Sequence, residues 1–584
     1  MIYREINILI SLSLLILAAC SSNDNDSAAD ALRAKMTAMY GENNTLEEIP
    51  YGKPAAYTST GVYVGIDSIG VFSFKGIPYA KQPVGNLRWK ATQPLSADSS
   101  TIREARYFGK SAVQSESLSQ PASFYPQGED CLSLCIWTST TDTAARHPVM
   151  VYIHGGSYGW GGTSDPLYDG FNIVRSHPDV VMVSINYRLG ILGFFDFSSF
   201  DDGEDYKGAA DLGILDQIEA LRWIKGNIAA FGGNPDNITI FGESAGGGSV
   251  SLLCVSPMAK GLFSKAIAES GSPAFTSDSV AYASLTRKLK AKTGSTSVAE
   301  LTKLDYNQIK ALSDELNDDN CFPLRDGHIV PLDPYKSYSE GAAKDITIMT
   351  GTNKDEVRYW IKGMGGLAIF SAGVNIWSEG IYKQLDRSEK IDVDDFYGIC
   401  GKKGVWQRVE FLNDLFFRVP SLTVAGGHAA SGGKTYTYFW TKPRPGEEDS
   451  TEGACHMAEL PYVFGNFSNP DDVTYDERLL SEETMNMWVD FARSGSPLLT
   501  WPEYNTATKA TMVIGDSTYI AYNLLGERQE LIAPLMRDYI SPLHNDLDFA
   551  VPYVFKAVGI IIAIIVLIIV IWIQIRKRRR TLRG

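Results

Sequence analysis

Two short stretches of this chain could carry a nucleophilic serine. Gly155–Gly156–Ser157–Tyr158–Gly159, within HGGSYG, and Gly242–Glu243–Ser244–Ala245–Gly246, within FGESAGGG, both match G-x-S-x-G. The chemistry such a serine performs is attack of its hydroxyl oxygen on a carbonyl carbon. That requires a strand, a tight strained turn presenting the serine, and a helix whose N-terminus faces the reacting atoms. Ser244 meets each condition: ITIF precedes it, small residues follow, and the apolar run SVSLLCV can be helical. Ser157 meets only the first. Gly159, Gly161, Gly162 and Pro166 work against a helix after it. Ser244 is the expected nucleophile.

Ser157 then has a different use. Acyl transfer needs hydrogen-bond donors aimed at the oxygen that becomes negative in the transition state. One donor is the N–H after the nucleophile, here Ala245, and others come from an earlier Gly-rich loop of HGGG type. His154–Gly155–Gly156–Ser157 stands in that position behind an apolar run. The backbone N–H groups of Gly156, Ser157 and Ala245 are therefore the expected oxyanion hole.

A serine hydroxyl is inert near neutral pH without a base, and the base needs an acid to orient it. In chain order the acid and then the histidine should follow the serine. His456, in EGACHMAELPYVFG, lies on a loop beyond the strand-like TYTYFW. His428 has no flanking acid pattern, His544 abuts a long apolar segment, and His328 precedes the strand-like DITIMTG. The polar turn after DITIMTG offers either Asp355 or Glu356 as the acid. GGHAASGGKT resembles a phosphate-binding loop, but its glycine and lysine spacing is wrong and a strand follows it, so nucleotide binding is rejected.

These residues must be positioned by an alternating scaffold. PVMVYIH (148–154), VVMVSINY (180–187), NITIFG (237–242), KAIAES (265–270), DITIMTG (345–351) and TYTYFW (435–440) read as strands. Between them, residues 212–231 place Ile214, Leu215, Ile218, Leu221, Ile224 and Ile228 on one helical face, and residues 245–255 read as a second helix. Strands alternating with helices indicate an α/β fold whose mostly parallel sheet is covered on both faces.

The chain has 584 residues and a formal net charge of −15, from 53 basic and 68 acidic residues. Six basic residues lie within 576–584, so the rest is more acidic than the total and offers no nucleic-acid surface. Seven cysteines include no C-x-x-C pair, which leaves zinc-knuckle and thioredoxin-type sites without support. Cys131 and Cys135 would stand about 13 Å apart along a strand, too far for a disulfide, and read as small buried hydrophobes.

Both ends resemble address signals. Ile6–Leu17 behind Arg4 has the length of a signal-peptide core and ends in Leu17–Ala18–Ala19–Cys20, which resembles a lipobox with Cys20 as the lipidated residue. The apolar run Val558–Ile573, extended back through PYVF, reaches the roughly 20 residues of a membrane span, and the RKRRR after it belongs on the cytoplasmic side. The expected organisation is a signal peptide (1–20), a polar linker (21–50), one catalytic domain (51–550), a transmembrane helix (554–575) and a basic tail (576–584). The catalytic domain is expected outside the cytoplasm, tethered to a membrane.

Together the motifs resemble the type-B carboxylesterase/cholinesterase family over most of 55–540. FKGIPYA, LRW, EDCLSLCIW, HGGSYGWG, NYRLGILGFF, FGGNPDNITIFGESAGG, AESGSP, GTNKDE and HMAELPYVFG carry the likeness. It implies an α/β-hydrolase fold and hydrolysis of small carboxylic esters through an acyl-serine intermediate, with neither metal nor organic cofactor. It also implies the triad Ser244, His456 and Glu356, which selects Glu356 over Asp355. Two departures matter. Ser157 replaces the third glycine common in the oxyanion loop, and no tryptophan lies between Ser111 and Asp130, which leaves choline esters unsupported as substrates. In place of the cysteine that usually pairs with that of EDCL, FGKSAVQSE has none, so the resemblance leaves Cys131 free.

Two other readings fit part of this pattern. Some members of the superfamily are adhesion domains that lack the triad, and an amidase or thioesterase can run on the same three residues. Neither the leaving group nor the oligomeric state is encoded in these motifs.

Overall fold

The computed structural model describes residues 41–114, 126–316, 321–364, 366–447 and 451–537. Its centre is an eleven-stranded sheet. In chain order the strands are β1 (Ile66–Ser68), β2 (Val71–Pro78), β3 (Ser133–Thr138), β4 (His147–Ile153), β5 (Val181–Ile185), β6 (Gly233–Glu243), β7 (Lys265–Glu269), β8 (Thr347–Asn353), β9 (Thr435–Trp440), β10 (Ala510–Ile514) and β11 (Tyr519–Tyr522). Across the sheet they run β11-β10-β9-β8-β7-β6-β4-β5-β3-β2-β1. The stretch from β10 to β5 is wholly parallel, and both margins are antiparallel.

The parallel strands are buried on both faces, which explains their continuous apolar runs. Along β4, Val149, Val151 and Ile153 join one core with Ile238, Ile240, Ala266, Ala268 and Ile348. Met150 and Tyr152 face the other way, into a second core with Phe241, Ile267, Met349, Tyr436 and Tyr438. The two-residue period of the strand puts alternate side chains on opposite faces. Helix α1 (Leu212–Asn227) and helix α2 (Ala245–Val255) cover the first face. A long C-terminal helix supplies Met485, Trp488, Val489 and Phe491 to the second.

Between β8 and β9 the chain forms α3 (Leu367–Gln384), α4 (Arg387–Ile399), α5 (Val405–Asn413), a π-helical turn (Asp414–Arg418) and α6 (Val419–Ala430). Two helices begin on reciprocal caps. Asp386 and Glu389 cap α4, while Thr474 and Glu477 cap α7 (Tyr475–Ser494). Gly495 ends α7 in the left-handed conformation that glycine adopts most readily.

The strands expected at 148–154, 180–187, 237–242, 265–270, 345–351 and 435–440 all form, with ends shifted by a few residues. Residues 212–231 are one α-helix as far as Asn227 and then a 3-10 turn, Ile228–Phe231. Cys131 precedes β3 instead of lying in it; it and the other five described cysteines are buried, and Cys131, Cys135, Cys254, Cys400 and Cys455 are free thiols. A separate four-stranded sheet from Thr45–Leu46, Ala55–Thr58, Gly61–Val64 and Ile102–Glu104 was not expected. Its strands are too short to show a sustained alternation. Among the described residues no helix is long and apolar enough to cross a membrane. The expected signal segment (1–20, with Cys20) and membrane span (554–575) lie outside the described residues.

Candidate active site

Ser244 sits between the end of β6 and the start of α2 with φ 58° and ψ −122°. A residue with a side chain held there costs about 1–3 kcal/mol, and the surroundings must enforce it. They do so through close backbone approach. A Cβ on Gly246 would stand 2.0 Å from the carbonyl oxygen of Ile153, and one on Gly242 would stand 2.5 Å from the same atom. Ser244 N–H donates to the Glu269 carbonyl at 2.9 Å, and its own carbonyl accepts from Gly248 N–H at 2.8 Å. Strand, turn and helix are thus fixed to one another through residues without side chains.

The HGGS loop meets this turn. A Cβ on Gly155 would lie 3.1 Å from Ser244 Cβ. The loop is itself bent through left-handed positions at Gly156 (φ 104°), Ser157 (φ 52°) and Tyr158 (φ 57°). Gly159 and Trp160 both donate to the Gly156 carbonyl, which closes the bend. No acceptor among the described residues takes the N–H of Gly156 or Ser157. Ala245 is the first residue of α2, where N–H groups have no partner within the helix. Ser157 is exposed, and no helix follows it before the 3-10 turn Pro166–Tyr168. The loop is braced from behind by His154, whose ring stacks on Tyr187 at 4.5 Å. Burial lowers the His154 pKa to about 4, so this imidazole is neutral.

His456 lies on the loop after β9, and its Nδ1 is 2.7 Å from Glu356 Oε2. The other carboxylate oxygen, Oε1, accepts from Ser270 Oγ and from Asn353 N–H, each at 2.7 Å. Glu356 is therefore held at both oxygens, by three different segments. The neighbouring Asp355 turns to Arg358, at 2.8 Å. Trp360 stacks on the His456 ring at 5.6 Å and Phe417 packs against it at 4.9 Å. His428 is remote from this arrangement, bonded to Thr435 and to the Ala343 carbonyl.

Beneath these groups lie three buried carboxyls to which the motifs alone give no role. Glu243, the residue before Ser244, places Oε1 3.1 Å from His456 Nε2, although not in line for a hydrogen bond. Burial, then the charges of Glu459, Glu356 and Glu269, push it well above the ordinary carboxylate range. Glu269 accepts from Trp488 Nε1, and Glu459 from Asn353 Nδ2. Burial and then Glu356 raise Glu459 to about 7. All three glutamates stand inside the motifs GES, AES and HMAE, so their positions were legible although their burial was not. Among the described residues no group of His, Cys, Asp and Glu is arranged to hold a metal ion.

The carboxylesterase family model matches residues 53–531. The chain belongs to the carboxylesterase family. Its enzyme class is carboxylic ester hydrolase. It is 32% identical to para-nitrobenzyl esterase of Bacillus subtilis over 502 residues, covering 82% of this chain and 98% of that protein. It is 33% identical to carboxylesterase 1D of Rattus norvegicus, covering 80% of this chain and 89% of the rat enzyme. A solved carboxylesterase of Geobacillus stearothermophilus superposes with a TM-score of 0.71 at 32% identity, covering 82% of this chain and all of that one. The α/β-hydrolase fold expected from the motifs is the fold of this carboxylesterase.

Proposed function

We propose that the enzyme hydrolyses small carboxylic esters with Ser244 as nucleophile, His456 as general base and acid, and Glu356 as the group that orients the imidazole. The bond from His456 Nδ1 to the doubly held Glu356, beside the strained turn at Ser244, carries this reading. It fixes the tautomer: with the proton on Nδ1, the lone pair of Nε2 is available to take the Ser244 hydroxyl proton. Ser244 Oγ then bonds to the ester carbonyl carbon, and the carbonyl oxygen becomes anionic. The N–H groups of Gly156, Ser157 and Ala245 receive that charge. Collapse expels the alcohol, which takes the proton from His456, and leaves an acyl-serine. Water, deprotonated by the same Nε2, attacks the acyl carbon; the bond to Ser244 Oγ then breaks, His456 returns the proton to Oγ, and the acid leaves and ionises to the carboxylate.

The test is hydrolysis of p-nitrophenyl butyrate by the full-length protein and its variants. Ser244→Ala and His456→Ala should be silent, and Ser157→Ala should retain most activity, because its role uses the backbone. An inert, folded wild type across short acyl chains would favour the adhesion reading, and a dead Ser157→Ala beside an active Ser244→Ala would reverse the two serine roles. Tethering of the catalytic domain outside the cytoplasm, through Cys20 and residues 554–575, is part of the same proposal and rests on the sequence alone. Membrane fractionation with mass spectrometry of the N-terminal peptide tests it. Unlipidated protein in the cytosol would end it.

A further inference from the structure

Behind the acid loop is a cavity of about 270 Å³ that none of the proposed chemistry uses. Its floor is the end of β8, at Asn353 and Lys354, and one wall is the π-helical turn between α5 and α6. Arg418, the last residue of that turn, lines it and is 7% exposed. Its guanidinium lies over the Phe439 ring at 4.3 Å, and Nη2 donates to the Leu524 carbonyl at 3.2 Å. Nε is buried with no partner. No described carboxylate comes within 4.0 Å of Arg418.

The two acids in the cavity wall are already committed. Asp414 Oδ2 binds Arg528 Nε at 2.7 Å, and Glu410 Oε2 binds Arg528 Nη2 at 2.7 Å. Those contacts aim both carboxylates at Arg528; Asp414 attracts Arg418 only from a distance, and Arg418 faces the cavity beside the exposed Lys402. Burial lowers Arg418 to about 10, so it is still cationic at neutral pH. A buried cation with an unfilled donor is costly, and the groups that match a guanidinium are planar or tetrahedral oxyanions. Leu524, Leu525 and Phe439 give the otherwise polar lining an apolar patch, which favours an organic anion over an inorganic one. The volume falls just under the usual range for small-molecule sites, of about 300–1,000 Å³, so the guest is small.

We propose that this cavity binds a small organic carboxylate, with its charged end on Arg418 and Lys402 and a short apolar tail against Phe439, Leu524 and Leu525. Binding there requires no turnover, so the site stands apart from the esterase reading. The test is isothermal titration of the full-length protein with sodium butyrate, and separately with sodium phosphate, at a fixed ionic strength of about 0.15 M to hold screening constant. One butyrate per chain is expected, weakened about tenfold or more in Arg418→Gln and severalfold in the surface variant Lys402→Gln, with phosphate at least about tenfold weaker. Circular dichroism checks that each variant folds. Should Arg418→Gln fail to fold, the titration of Lys402→Gln decides alone. Absence of butyrate binding to wild type, or affinity unchanged in the folded variants, overturns the site. Phosphate binding as tightly as butyrate overturns the organic-carboxylate assignment.

Discussion

Glu243 Oε1 stands 3.1 Å from His456 Nε2, one residue before Ser244. A carboxyl so near the nitrogen that must exchange protons could obstruct it. An ionised form would hold a proton on Nε2 and make the imidazole useless as a base. Burial, reinforced by Glu459, Glu356 and Glu269, keeps it uncharged instead. Glu243→Gln is neutral at every pH and nearly isosteric. It should retain kcat/KM within about threefold near pH 7, whereas Glu243→Ala, which removes a neighbour from the ring, should lose about tenfold. Steady-state kinetics decide this. A loss of about a hundredfold in the glutamine variant would mean that the ionised carboxylate takes part in turnover.

Ser270 is the second support of the acid, since its hydroxyl donates to Glu356 Oε1 at 2.7 Å. In Ser270→Ala the carboxylate keeps the Asn353 N–H and the His456 ring but gains one rotational freedom. We expect kcat to fall about five- to tenfold with KM nearly unchanged, because the lost bond orients the base and touches no substrate. Equal changes in kcat and KM would place Ser270 in substrate binding instead.

The sheet was readable from sequence where strands are buried on both sides, because such strands are continuous apolar runs bounded by turns. β4 and β5, with VMVYI and VMVSI, are of this kind. β1, β11 and the small N-terminal sheet were not readable, since three- and four-residue antiparallel strands carry too little alternation. The helices α3–α5 were missed for another reason. They pack on one another and on the helix Gly526–Ile532, and their placement depends on contacts made far away in sequence, such as Val357 N–H donating to Asn413. At the site, residue types and chain order led to Ser244, to His456 and to either Asp355 or Glu356. The buried carboxyl group of Glu459 could not be foreseen, because its environment is assembled from β8, the β7 end and the histidine loop. Choosing between Asp355 and Glu356 needed the family likeness, and the bond to His456 now gives an independent geometric reason.

Two glycines separate the demand for close approach from mere occurrence. Gly246 follows the serine turn, where a Cβ would meet Ile153 O at 2.0 Å. Gly426 lies within α6 with nothing within 4 Å of its Cβ position and no left-handed φ. Gly246→Ala should abolish activity and lower the melting temperature sharply, or prevent folding. Gly426→Ala should stabilise by about 0.5–1 kcal/mol, because alanine has less backbone freedom to lose and fits the helix. Thermal melts of the two variants test both; a Gly246→Ala protein with wild-type stability and activity would show that α2 can move away from β4.

Glu459 carries the last prediction, which concerns pH. Its carboxyl is raised to about 7 in the folded protein, by burial and then by Glu356, from an ordinary value of 4.5. Between these two values the unfolded chain has released a proton that the folded protein still holds. Each step up in pH therefore favours unfolding, so the stability present below pH 4.5 declines through pH 7 and levels off above it. Glu459→Gln keeps an oxygen to accept from Asn353 Nδ2 but cannot ionise. The variant and wild type should melt close together at pH 5, and the variant should melt about 1–3 °C higher at pH 8. Melting curves at the two pH values check it. A variant less stable by the same amount at both would show that the carboxyl contributes through shape and hydrogen bonding, with no titration in this range.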